Sequence, residues 1–220
     1  MVSLDIELQS LKDNLLEMMD LVKSQLVKCK ASLEDHNDEL AEEVVEKEKR
    51  VNALELTIDK DCENILALHN PVATDLRFVL STLKICADLE SIGDITKGLA
   101  KVSRSHIRKN HRSLLDKFRI LKMLEVSISM LQDMREAVQK EDAQFVVKVA
   151  EKDKVLNEIN KEAAKVASDL IKEHVEKVDL ILKLFTITRK LERVGDFIKN
   201  IGVELVFHIE ARVLKHHKLK

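Results

Sequence analysis

Ile85-Cys-Ala-Asp-Leu-Glu-Ser-Ile-Gly-Asp94 is answered later in the chain by Ile187-Thr-Arg-Lys-Leu-Glu-Arg-Val-Gly-Asp196. Leu89, Glu90, Gly93 and Asp94 return as Leu191, Glu192, Gly195 and Asp196, all displaced by the same number of positions, with Val194 in the place of Ile92. The whole sequence holds 4 glycines, and all fall in these two stretches or just after them. Glycine weakens a helix interior by about 1 kcal/mol relative to alanine. A chain that spares glycine elsewhere and places it here twice predicts close backbone approach at both points.

Outward from the motif, the apolar residues recur at helical spacing. Leu8, Leu11, Leu15, Met18, Met19, Val22 and Leu26 mark a first helix from Leu4 to about Cys29. Asp35 to Asn37 offers caps for a second, which carries Val44, Val45, Val51, Leu54, Ile58, Cys62 and Ile65. Asn70-Pro71 ends it, because proline lacks the amide donor and restricts its predecessor. A third helix follows from about Ala73 to Ser105. The basic joint Ser103 to Ser113 then breaks the periodicity, and the plan repeats, with helices expected over Leu114–Gln139, Ala143–His174 and Val178–Val213. The repeat extends beyond the motif, since Glu48, Val51, Asn52 and Leu54 answer to Asp153, Leu156, Asn157 and Ile159. The expected fold is therefore all-α: two tandem, sequence-related three-helix bundles, residues 1–106 and 107–220, with six long antiparallel helices.

Composition agrees. Of 220 residues, 35% are charged and 45% hydrophobic, with a single proline, which suits helices and starves a sheet of turn residues. The net charge is −2 and there is no Trp or Tyr, so neither a polyanion footprint nor a stacking platform for single-stranded nucleic acid is expected. Asp5, Glu7, Lys12 and Asp13 interrupt the N-terminal apolar positions, and no uncharged stretch is long enough to span a bilayer, so a soluble protein without membrane insertion is expected, and the cysteine usage that follows suits a reducing cytoplasm. Three scattered cysteines, Cys29, Cys62 and Cys86, read as buried free thiols.

Around the third helix, steps of 100° gather Arg77, Ser81, Lys84, Asp88 and Ser91 on an expected water face. Phe78, Ile85, Leu89 and Ile92 lie opposite, with Leu76, Leu83 and Ala87 widening the apolar arc, and Glu90 and Asp94 fall inside that wider arc. The sixth helix repeats this, with Lys183, Lys190 and Arg193 toward water and Glu192 and Asp196 sharing an arc with Phe185. Two carboxylates one turn apart repel each other, so a basic partner or a cation must offset them. Arg189 and Arg193 offer ion pairs to the second motif and Lys97 to the first, and a metal or partner site meets the same need. Oxygen-only ligation suits hard cations, iron or manganese. The Glu-x-x-His spacing of catalytic di-iron bundles is absent from the sequence, as are phosphate loops and nucleophile elbows. His106 and His111 read as a solvated loop, and His216 and His217 as a basic tail.

Pro71-Val-Ala-Thr-Asp-Leu-Arg77, the two motifs, and Leu191-Glu-Arg-Val-Gly-Asp-Phe-Ile-Lys-Asn-Ile201 together resemble the PhoU family of phosphate-signalling proteins over essentially the full length. The resemblance implies a regulator rather than an enzyme: an adaptor between a phosphate ABC transporter ATPase and a sensor histidine kinase that keeps the phosphate-starvation regulon off. It implies a homodimer or higher oligomer, and iron, zinc, manganese or magnesium at Glu90, Asp94, Glu192 and Asp196, with Asp75, Arg77, Arg193 and Asn200 as accessory residues. Within the family's pattern the second motif keeps Arg193 and Asn200, where the first has Ser91 and Gly98, while Ile95 and Phe197 stand where a histidine is common. Two other readings remain beside it: a carboxylate-metal bundle with an enzymatic or metal-buffering role, and a relative regulating a sodium–phosphate carrier.

Overall fold

The computed structural model describes residues 3–212. Val213, where the last helix was expected to end, and His216 and His217 lie outside the described residues. Seven α-helices follow one another, with no strand among the described residues: α1 Leu4–Asp35, α2 Asp38–His69, α3 Ala73–His106, α4 Arg112–Lys117, α5 Ile120–Lys140, α6 Gln144–Glu173 and α7 Val178–Glu210. Helices α1, α2 and α3 pack on one another, as do α5, α6 and α7.

The connections follow local chemistry. Asn37 caps α2, its Oδ1 accepting from the backbone N–H of Glu39 at 2.9 Å and Leu40 at 3.1 Å. His36 and Asn70 take the left-handed conformation that closes α1 and α2. Six more residues of α1 continue past Cys29 to Asp35, with Leu33 buried among them.

The expected fourth helix is in two pieces. Arg119 adopts a left-handed φ of 51° and separates the six-residue α4 from α5. No glycine or proline marks this break. Phe118 is buried beside it, and the Arg119 guanidinium pairs with Glu162 of α6 at 2.5 Å. Burial of the Phe118 side chain thus overrides the local preference for an unbroken helix, the exposed Arg119–Glu162 pair adding little.

The expected water face of α3 is instead the seam between the repeats. Ser81 is buried and donates to the Glu204 carbonyl on α7 at 3.1 Å, and the Lys84 ammonium reaches the Glu204 carboxylate at 2.9 Å. Arg77 Nε donates to the His208 carbonyl at 3.3 Å. Ala87, assigned to the apolar arc, is exposed. On α1, Asp20 accepts from Arg135 of α5 at 2.7 Å and Lys23 donates to Gln132 at 2.7 Å. One continuous apolar core runs through both halves, from Leu11, Met18 and Ile92 to Met130, Leu191 and Ile198. The three thiols lie within it, all in the first half.

Candidate metal centre

In each repeat the motif glycine decides what lies against the third helix. A Cβ on Gly93 would sit 3.0 Å from Glu48 Oε2 and 3.1 Å from Gln25 Oε1. A Cβ on Gly195 would sit 2.8 Å from Asp153 Oδ1 and 2.6 Å from Leu156 Cδ1. The bare backbone therefore makes room for an acid from the second helix of each bundle, Glu48 on α2 and Asp153 on α6.

Beside the motifs the buried carboxylates are Glu48 and Asp153, at 2% and 4% exposure, while Glu204, also buried, lies in the seam with Lys84. The motif acids are less enclosed than their helical wheel predicts. Glu90 and Glu192 are half-buried, and the side chains of Asp94 and Asp196 are 56% and 49% exposed. The charge problem thus centres on two residues that the motif does not contain. Their signal was present in the paired Glu48/Asn52 and Asp153/Asn157, each a carboxylate with an amide one turn on. Asn157 donates to Asp153 Oδ2 at 2.6 Å. Asn52, with its amide nitrogen turned toward Glu48, donates to Oε1 at 2.9 Å.

In the first repeat, ligand oxygens of Glu48, Glu90 and Asp94 all lie within 4.8 Å of one another. Gln25 Nε2 donates to Glu48 Oε2 at 2.9 Å, while Gln25 Oε1, wholly buried, has no partner. Lys97 donates to Asp94 alone, at 3.0 Å. Burial pushes the Glu48 carboxyl above its usual range, with Asp94 and Glu90 adding to that against the Gln25 amide and Lys97. Burial and then Asp94 raise Glu90 as well, and Glu55, facing the cluster, is raised by burial and by Glu90. Octahedral ligation at about 2.1 Å spaces donors from about 3 to about 4.2 Å apart, so small side-chain rotations bring these three oxygens to a cation. The donor set is all oxygen and fits magnesium, manganese or iron better than zinc.

The second repeat is built differently. The Lys199 ammonium lies between Asp153 Oδ2 at 2.8 Å and Asp196 Oδ1 at 2.7 Å. Burial works against its charge, yet the two carboxylates hold it above the usual lysine range. Burial, then Asp196 and Asp153, raise Glu192, with Lys199 and Arg189 opposing.

The accessory residues lie elsewhere. Asp75 and Arg77 are at the start of α3, at least a dozen residues from Glu90, which at about 1.5 Å per residue puts them about 20 Å away along the helix. Arg193 is exposed, its guanidinium 5.7 Å from the centre of the Phe197 ring rather than on the motif acids. Asn200 faces Asp88 across the seam.

A twice-repeated helical bundle with a glycine-seated acid in each repeat defines a class of doubled three-helix proteins. The PhoU domain model matches this chain twice, over residues 15–102 and 120–205, and the chain belongs to the PhoU domain family. It is 27% identical over 213 residues to the phosphate-specific transport system accessory protein PhoU of Serratia marcescens, covering 96% of this chain and 86% of that one. To the PhoU homolog of Streptococcus pneumoniae it is 30% identical over 203 residues, covering 92% and 93%. The crystal structure of PhoU from Pseudomonas aeruginosa superposes with a TM-score of 0.85 at 27% identity, covering 96% of this chain and all of that one.

Proposed function

We propose that this chain is a regulatory accessory protein of phosphate transport. It acts in the cytoplasm as an adaptor rather than an enzyme, contacting the ATPase of a phosphate ABC transporter and a sensor histidine kinase as a homodimer or higher oligomer. In that role it keeps phosphate-starvation genes off while phosphate is plentiful. The observation that carries this reading is the end-to-end likeness to phosphate-transport accessory proteins, which extends over both repeats and the joint between them. The test is a strain lacking the gene, grown in high phosphate. Alkaline phosphatase is expected to rise to its starvation level, and continued repression would defeat the reading.

The same reading places a hard divalent cation at Glu48, Glu90 and Asp94. Its support is the convergence of three carboxylates, the glycine that seats Glu48, and the unpartnered Gln25 oxygen beside them. A cation there would neutralise the buried charge and tie α2 to α3. Elemental analysis of untagged protein checks this. Metal should accompany the wild type and disappear from Glu90→Ala/Asp94→Ala, and retention in that variant would move the site elsewhere.

A further inference from the structure

The two motifs share Leu, Glu, Gly and Asp at matching positions, yet their acids have different surroundings. Among the described residues, Glu48, Glu90 and Asp94 form the one group of three carboxylates converging within 4.8 Å, and Asp153, Glu192 and Asp196 do not converge in this way. What stands among the second set is the Lys199 ammonium, within bonding distance of both Asp153 and Asp196. Lys97, at the matching position of α3, reaches Asp94 only, and no Lys or Arg comes within 4.0 Å of Glu48 among the described residues. In the second repeat Asp153 Oδ2 takes both Lys199 and Asn157, so that oxygen is held by an ammonium and an amide, while Oδ1, against the Gly195 backbone, is buried without a partner.

We propose that the second repeat carries its own cation in Lys199, so that the protein loads a divalent metal in the first repeat alone. The proposal rests on the reading of Glu48, Glu90 and Asp94 as a metal site, and it reverses the expectation from the motifs, in which the second copy keeps more of the family's pattern. The ammonium supplies the compensation that the buried Asp153 carboxylate requires. A metal entering that site must first displace an intramolecular partner already in place. Covalent attachment three residues from Asp196 keeps the ammonium at high effective concentration, so a free ion competes at a disadvantage.

The test is a titration of the full chain with Mn2+ alone, with free ion followed by electron paramagnetic resonance. Wild type should take up about one ion per chain tightly, and Lys199→Met and Lys199→Gln about two, the second site gaining about tenfold or more in affinity. The Gln variant retains a donor for Asp153, so the experiment survives if the Met variant fails to fold. Adding Asp153→Asn to either variant should remove the gained ion. Two tight ions in wild type, no gain in either Lys199 variant, or a gained ion indifferent to Asp153→Asn would each overturn the proposal. If wild type binds none while the Lys199 variants gain one, the first-repeat reading falls and the lysine assignment stands. No binding in any variant removes both.

Discussion

Asp88 sits on the seam between the repeats, and burial lifts its carboxyl from 3.8 to about 6, with Glu204 adding to the rise and the Asn200 amide opposing it. A carboxyl raised in the folded state favours folding while it is protonated. Its contribution is complete below pH 3.8 and is lost as the pH climbs through about 6. Asp88→Asn stays neutral throughout. Relative to wild type, the variant should therefore gain stability between about pH 4 and 6 and hold that gain above it. The size is about 1 kcal/mol, discounted because the side chain is partly exposed. Urea unfolding at several pH values measures it, and a difference that does not change with pH would remove Asp88 from the seam's energetics. Glu48 follows the same sign, since burial raises its carboxyl too. Metal-free protein should thus lose stability as the pH rises through the range above 4.5, and Glu48→Gln should flatten that loss.

Among the elements, the glycines separate packing from tolerance. Gly195 is pressed by Leu156 and Asp153 of α6, whereas a Cβ on Gly98 would meet only the Lys190 ammonium at 4.0 Å. Gly195→Ala should cost about 1–3 kcal/mol through overpacking, while Gly98→Ala should stabilise α3 by about 0.5–1 kcal/mol through helix propensity. Opposite shifts of the urea midpoint are the expected result. Equal shifts would show that helix propensity alone governs both. The helix limits at Asn37 and Asn70-Pro71 were legible because capping and proline chemistry are local. The Arg119 break was not, because its cause is the burial of Phe118, which depends on how the other helices pack. A wheel sorts polar from apolar but does not tell water from a polar seam, so Ser81 and Asp88 were assigned to solvent. The motif acids were legible by repetition, yet Glu48, Asp153 and Lys199 come into play only once α2 and α6 are laid against the glycines.

At the scale of the whole molecule, the repeats share more than a hinge. Asp20–Arg135, Lys84–Glu204 and the Ser81 and Arg77 bonds to α7 cross between them, over a single apolar core. Residues 1–106 made alone would expose the faces of α1 and α3 that these contacts cover. That fragment should unfold at a lower urea concentration than the intact chain, which should show one cooperative transition. With no Trp or Tyr in the sequence, far-ultraviolet circular dichroism is the natural probe. An isolated fragment as stable as the whole would mean that the seam contributes nothing.

Cys29, Cys62 and Cys86 all belong to the first half, where burial pushes the Cys29 and Cys62 thiols up to about 12 and raises Cys86 as well. Since the thiolate is the reactive form, an alkylating reagent can modify them only when the helices part. The protein therefore carries an intrinsic clock for the breathing of one repeat and none for the other. Slower alkylation on adding a metal or a partner would register closure of the N-terminal bundle without any label being introduced.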